Sequence, residues 1–418
     1  MKYFLFVIGC QMNLADAERA ATVLEKIGLQ PASSEKEADL IMVLACSVRQ
    51  SAIDRIYGKI NKWQMRKNLT TVLSGCVTAQ DKKKMKEKFD ILLDINDLPK
   101  LPGKLKNLPA HKHADYLEIK PKYQSSFQAF VPISNGCNNY CTYCVVPYTR
   151  GRESSRPVKE IICEIKNLIK RGYKEITLVG QNVNSYGQDL KPKVKFVDLL
   201  KKVNAVPGHF WIRFLTNHPK DMSDQLIKSI PQLKKVTEYI HLPLQAGDNA
   251  VLKRMNRHYT QVSYLKLVAK IKKVIPGAAI STDIIVGFPG ETKKQFAETK
   301  KVMTKVPYSM AYLAQYSERP GTAAAKLKDD VPKKEKERRQ VALNEILKKS
   351  SSANNQKMAG QTEEVLVDGH RKNYYYGRTR NFKIVKFKST KNLIGKFVKI
   401  KIVKANIWYL EGKYEAKN

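Results

Sequence analysis

Asn135-Gly-Cys-Asn-Asn-Tyr-Cys-Thr-Tyr-Cys144 spaces three cysteines as CxxxCxxC directly behind an apolar run, Ala129 to Ser134, that reads as a strand. Three thiolates on one loop can ligate three corners of a four-iron cubane and leave the fourth iron open to a ligand. A structural zinc site is the alternative. It wants a fourth protein ligand close by, and Cys163, His111 and His113 are poor candidates by distance.

Working outward, apolar runs recur at Ile176 to Gly180, Trp211 to Leu215, Tyr239 to Pro243, Ala279 to Gly287 and Met310 to Tyr316, with helical patterns between them. Six βα units over this length predict an incomplete barrel, with chemistry at the loops that follow the strands. A charged helical stretch from Pro332 to about Met358 closes the unit. Upstream, Tyr3 to Ile8, Asp39 to Ala45 and Thr70 to Ser74 predict a parallel α/β sheet, joined by Ile91 to Ile95. Cys10, Cys46 and Cys76 follow the first three runs, and parallel strands share one carboxyl edge, so these cysteines are expected to converge. The Pro/Lys/His-containing stretch from Leu98 to Lys122 reads as a linker. Cys163 falls off the face formed by Ile161, Ile162, Ile165, Leu168 and Ile169 and is expected to be a bystander.

Downstream of residue 356 the character changes. Val398, Ile400 and Ile402 alternate with Lys399 and Lys401, the period of a half-buried strand. Residues 357–418 hold 15 Lys+Arg against 5 Asp+Glu, a net of +10. With turn glycines 369, 377 and 395 and the aromatics Tyr374 to Tyr376, they predict a small β-barrel suited to RNA. A basic β-module that binds protein, or merely caps the fold, is the alternative. The whole chain of 418 residues carries a formal net charge of +38, so polyanions are the first partners to expect. No run approaches the roughly 20 apolar residues of a membrane span. Lys2 to Cys10 imitates a lipoprotein signal, but its apolar part is too short for export. Seven unevenly spaced cysteines exclude a disulfide scaffold and point to reduced thiols in the cytoplasm.

The CxxxCxxC spacing, with Tyr143 before the last cysteine, resembles the radical S-adenosylmethionine enzymes. The words around it narrow the likeness: Gly9-Cys-Gln-Met-Asn13, Ala45-Cys-Ser-Val-Arg49, Ser74-Gly-Cys76, Val145 to Pro157, Leu178-Val-Gly-Gln-Asn-Val-Asn184, His241-Leu-Pro-Leu-Gln-Ala-Gly247, Thr282 to Thr292 and Tyr316-Ser-Glu-Arg-Pro-Gly-Thr322. Together they resemble the methylthiotransferases, and within them the MiaB-like branch acting on isopentenylated adenosine 37 beside the tRNA anticodon. Gly377-Arg-Thr-Arg380, Val385 to Phe387 and Gly395 onward are similar to a TRAM domain.

The resemblance implies an α/β chain of three parts: a flavodoxin-like methylthiotransferase N-terminal domain over 1–106, a partial (β/α)6 radical SAM core over 123–356 and a TRAM barrel over 357–418. It implies two 4Fe-4S clusters, on Cys137, Cys141 and Cys144 and on Cys10, Cys46 and Cys76, with S-adenosyl-L-methionine as cofactor. Beyond the clusters no catalytic residue is assigned. Gly180, Gln181 and Asn182, with Arg213 and Asp283, are the candidate cofactor contacts, against a reading of ordinary hydrogen bonding at the barrel mouth. Ala246 stands where the family often has serine, so no hydroxyl contact is expected there. Expected partners are the tRNA anticodon loop and an electron donor such as a flavodoxin or ferredoxin, with no membrane and a monomeric chain. The sister reaction on threonylcarbamoyladenosine 37 or on a ribosomal-protein aspartate, and a non-catalytic RNA-binding protein with structural metal, are the alternatives.

Overall fold

A computed structural model describes residues 1–47, 50–106 and 116–415. The N-terminal sheet contains β1 (Lys2–Val7), β2 (Gln30–Pro31), β3 (Leu40–Cys46), β4 (Thr70–Cys76) and β5 (Ile91–Leu92), all parallel in the order β2-β1-β3-β4-β5. The central strand β3, Leu-Ile-Met-Val-Leu-Ala-Cys, is buried along its whole length because helices cover both faces, hence its unbroken apolar run.

Six parallel strands follow, β6 (Gln128–Pro132), β9 (Glu175–Val179), β10 (Trp211–Phe214), β11 (Tyr239–His241), β12 (Ala279–Val286) and β13 (Met310–Gln315), with the short β7 (Ser134–Asn135) and β8 (Ser154–Ser155) between the first two pairing antiparallel with each other. They run in two triplets, β6-β9-β10 and β11-β12-β13, linked by the bridge Ile212 to Val236. This is the expected incomplete barrel. Ile176, Leu178, Ile212, Phe214, Ile240 and Ile284 face the helices and form one core with Ile161, Ile165 and Leu168. The intervening positions Glu175, Arg213, His241 and Ser281 are polar and also buried.

The 24-residue helix Lys333–Gln356 closes this unit. It leads into the closed barrel β14 (Thr362–Arg371), β15 (Tyr374–Thr379), β16 (Ile384–Lys388), β17 (Phe397–Ala405) and β18 (Leu410–Tyr414). Val398, Ile400 and Ile402 are buried while Lys399 and Lys401 are exposed, as their alternation predicts.

One expectation changes. Leu98 to Lys122 is not a plain linker: Ile95–Lys100 and Leu101–Lys106 are helical, and Leu98, Leu101, Tyr116 and Leu117 join the core of the N-terminal sheet. His111 and His113 lie outside the described residues. Val179 and Phe130 of the half-barrel pack into that same core, so the two parts share a hydrophobic contact. Cys163 is exposed on its helix, as expected.

Candidate active site

The N-terminal sheet gathers its three cysteines at one edge. Cys46 and Cys76 are register partners at the ends of β3 and β4, and Cys10 caps the helix Gln11–Lys26, near enough to Cys76 for their thiolates to repel. Gly75, at φ +101°, turns the chain here, and a Cβ on it would lie 2.4 Å from the Ala45 carbonyl oxygen. Only glycine fits. Asn13 bridges the edge, its Nδ2 donating to the Ala45 carbonyl at 3.1 Å and its Oδ1 accepting from the Cys10 N–H at 3.3 Å. The hydrogen bond with Cys46, then the charge of Arg150, bring the Cys76 thiol down to about 7 against its burial.

The second trio sits on the loop behind β7, with Cys137 and Cys141 buried and Cys144 partly so. Burial, then the neighbouring Cys141, push Cys144 up to about 12, and burial raises Cys137 as well. Buried thiols packed this closely ionise only when a cationic partner takes up the charge, as in thiolate ligation of a metal cluster. The segment 254–257 holds the loop from the far side of the barrel. Met255 O accepts from the Thr142 N–H at 3.1 Å, Asn256 Nδ2 donates to the Tyr140 carbonyl at 2.9 Å, and Arg257 Nη1 donates to Cys141 Sγ at 3.4 Å. Among the described residues no three His, Cys, Asp or Glu side chains converge on a single point as ligands of one ion. The fit to a cluster rests instead on two all-sulfur trios, each with a guanidinium on one of its sulfurs.

At the strand ends beside the CxxxCxxC loop, Gln181 Oε1, Asn182 Oδ1, Asn217 Oδ1 and His218 Nε2 are buried with no protein partner. Such orphaned atoms call for a polar ligand, and four of them at the ends of β9 and β10 suit a nucleoside or amino-acid group. Burial drives His218 down to about 2, so it is a neutral imidazole, whose Nδ1 accepts from the Lys220 N–H at 3.2 Å. Gly180 closes against Ser134, whose Oγ would lie 2.7 Å from an added Cβ. Glu153 stands close by with its carboxyl raised to about 7 by burial, against the Ser185 hydroxyl donating at 2.6 Å.

Asp283 lines a cavity of about 1050 Å³ together with Tyr143, Cys144, Gln245, Tyr312 and Arg319. Its Oδ2 lies 3.2 Å from His241 Nε2. Arg213 is elsewhere. Its Nε donates to Glu175 at 2.6 Å, Nη1 to Thr237 Oγ1 and the Arg380 carbonyl, and Nη2 to the Thr379 carbonyl at 2.8 Å. It fastens the C-terminal barrel to the half-barrel and has no donor directed to a cofactor, so the expectation for Arg213 is corrected. Ala246 is fully buried beside Val251, Leu252 and Phe288, an apolar setting with no use for a hydroxyl.

Residues 131–303 match the radical SAM superfamily, 2–94 the uncharacterized protein family UPF0004 and 356–414 the TRAM domain. The chain is 45% identical over 435 residues to a tRNA-2-methylthio-N(6)-dimethylallyladenosine synthase of Clostridium botulinum, covering 99% of this chain and 96% of that protein. A protein of the same name from Carboxydothermus hydrogenoformans is 42% identical, with 98% of each chain covered. This chain belongs to the tRNA-2-methylthio-N(6)-dimethylallyladenosine synthase family.

The fold resembles that of the radical S-adenosylmethionine methyltransferase TsrM of Kitasatospora setae, with TM-score 0.56, 12% identity, and 78% of this chain and 74% of that one covered. The cobalamin-dependent radical enzyme OxsB gives TM-score 0.54 at 10% identity, covering 82% of this chain and 55% of that one. This synthase family is a radical SAM family, so S-adenosylmethionine and a 4Fe-4S cluster belong to its chemistry. Asn217, His218, Glu153, Arg150 and Arg257 take no part in the sequence-based site. Only the tertiary fold brings Arg150, Arg257 and Glu153 to the cysteines and leaves Asn217 and His218 with orphaned atoms at the strand ends; a hint of it lay in Arg150 and Glu153 standing within Val145 to Pro157, one of the stretches that carry the family likeness.

Proposed function

We propose that this chain converts N6-isopentenyladenosine at position 37 of tRNA to its 2-methylthio derivative, with one 4Fe-4S cluster on Cys137, Cys141 and Cys144 and a second on Cys10, Cys46 and Cys76. What supports two clusters acting together is the contact between the trios: the segment that follows Cys144 reaches Cys76 through Arg150. C2 of adenine has no acidic hydrogen, so a general base has nothing to work on; S-adenosylmethionine on the first cluster supplies a radical route.

The chain's own residues bind, orient and exclude water. Gln181, Asn182, Asn217 and His218 offer their orphaned atoms to the cofactor's polar groups, and Gly180 lets the end of β9 close against Ser134 ahead of the CxxxCxxC loop. Asp283, oriented by His241, lines the cavity beside Cys144 where the base enters. A loop nucleotide reaches such a cavity at the lowest unstacking cost, and lysines of the C-terminal barrel hold the backbone around it. Residues 1–106, 123–356 and 357–418 divide the labour as sulfur-donor site, radical site and RNA grip. A low-potential flavodoxin or ferredoxin delivers the electron, and the chain works as a cytoplasmic monomer.

Anaerobically purified protein is expected to hold about eight irons, falling to about four when Cys10, Cys46 and Cys76 are alanine. That variant should still form 5′-deoxyadenosine while losing the methylthio product. Unchanged methylthio-isopentenyladenosine in tRNA from cells lacking the gene would overturn the reading; loss of the threonylcarbamoyl analogue instead would assign the sister reaction.

A further inference from the structure

Arg150 follows the short helix Val146–Thr149, six residues beyond Cys144, and its guanidinium is fully buried. Nε donates to Cys76 Sγ at 2.8 Å, Nη1 donates to Asn135 Oδ1 at 3.0 Å, and Nη2 is ion-paired with the equally buried Asp16. Each edge of the fork therefore meets a different element. Asp16 lies on the helix capped by Cys10, and its other oxygen accepts from the Tyr116 hydroxyl. Asn135 opens the CxxxCxxC stretch, and its Nδ2 donates across to Asn96 Oδ1 at 2.7 Å.

The backbone beside Arg150 carries the other trio. Gly151 O accepts from the Cys137 N–H at 3.2 Å. A Cβ on Gly136, at φ +83°, would lie 2.2 Å from the Arg152 carbonyl oxygen, so the two stretches are in closest contact. One residue thus touches a thiol of the N-terminal trio with its side chain, while the chain on either side of it supports the CxxxCxxC loop. A buried guanidinium needs a counter-ion, and Asp16 satisfies that need through Nη2. An ion pair that merely joined domains would not require Nε to meet sulfur. A charge-assisted hydrogen bond to a cysteine sulfur is one of the means by which proteins set cluster potentials.

We propose that Arg150 is the positioning residue of the N-terminal trio: it fixes Cys76, holds that trio in register with the CxxxCxxC loop, and raises the reduction potential of the cluster bound there. The proposal rests on the second cluster. A positive charge at the sulfur favours the reduced, more negative form, so its removal makes the potential more negative.

The test uses the full chain with Cys137, Cys141 and Cys144 changed to alanine, so that only the N-terminal cluster is present, with Arg150, Arg150→Lys or Arg150→Gln. Iron and sulfide content, an EPR-monitored redox titration and thermal unfolding are measured on each. Arg150→Gln is expected to shift the potential to more negative values, and Arg150→Lys, which keeps the charge, to stay nearer the parent. In the chain with all six cluster cysteines, Arg150→Gln should lower methylthio product at least tenfold while 5′-deoxyadenosine still forms. Iron retained at an unchanged potential in Arg150→Gln overturns the role of Arg150 alone. Equal loss of iron and thermal stability in both variants marks a structural strut and also overturns it. Absence of iron from the parent with Arg150 intact overturns the second cluster itself.

Discussion

Glu18 shows how burial turns one side chain into a pH-dependent term. It is 5% exposed on the helix Gln11–Lys26, where Oε1 accepts from the Gln124 N–H at 3.1 Å and Oε2 has no partner. Burial raises its carboxyl to about 7, against the Gln124 bond and the charge of Arg19. A carboxyl raised on folding binds more protons in the folded state, so its contribution is complete below the unfolded value near 4.5 and is lost as pH climbs through about 7. The full swing is at most about 3 kcal/mol. Glu18→Gln, neutral throughout, should remove that slope, and urea unfolding at pH 5 and pH 8 measures it. An equally steep loss in the variant would place the pH dependence elsewhere.

At the scale of elements, the turn between β15 and β16 enters the half-barrel and holds it to the C-terminal barrel. Arg213 donates to two carbonyls of that turn, Arg380 reaches back to Glu238 at 2.8 Å, and Phe382 stacks on Tyr239 with ring centroids 4.7 Å apart. Arg213→Ala leaves Glu175 buried with only Arg378, 3.5 Å away, as counter-charge. Breaking a buried pair from one side costs about 3–5 kcal/mol, and the surviving arginine favours the lower end. Earlier release of the C-terminal barrel in limited proteolysis, with a lower urea midpoint, is the expected result. Glu291 fastens the other end. Its carboxylate accepts from the Gly287 N–H at 2.6 Å and from Arg339 at 2.8 Å, tying the Phe288-Pro-Gly-Glu-Thr292 turn to the closing helix.

For the whole molecule, charge governs the encounter with RNA. A net +38 draws a polyanion from beyond contact range, and in the C-terminal barrel Lys386 lies 3.9 Å and Lys388 5.4 Å from the centre of the Tyr374 ring. Such an aromatic-and-lysine surface suits backbone phosphates and an unstacked base. Affinity for tRNA should fall by about 10³-fold or more between 50 and 200 mM salt if six or more phosphates are neutralised. Lys386→Glu with Lys388→Glu should weaken binding and lower the salt slope by roughly one for each phosphate left without its lysine. Filter binding across a salt series reads both; an unchanged slope would move the grip to another face.

Periodicity and spacing were enough for the architecture. The six barrel runs, the alternation of Val398, Ile400 and Ile402, and a cysteine after each of three sheet strands are local patterns, and local patterns survive in a one-dimensional string. The convergence of Cys10, Cys46 and Cys76 followed as well, because parallel strands share an edge. Partnership lay beyond its reach. Arg213 lies in β10 and Arg150 ends the short helix Val146–Thr149, and both are buried, yet one meets the backbone of the C-terminal barrel and the other a cysteine 74 residues upstream. Which acceptor a buried guanidinium finds is set by how whole domains pack, and a long-range pairing leaves no spacing in the sequence to read.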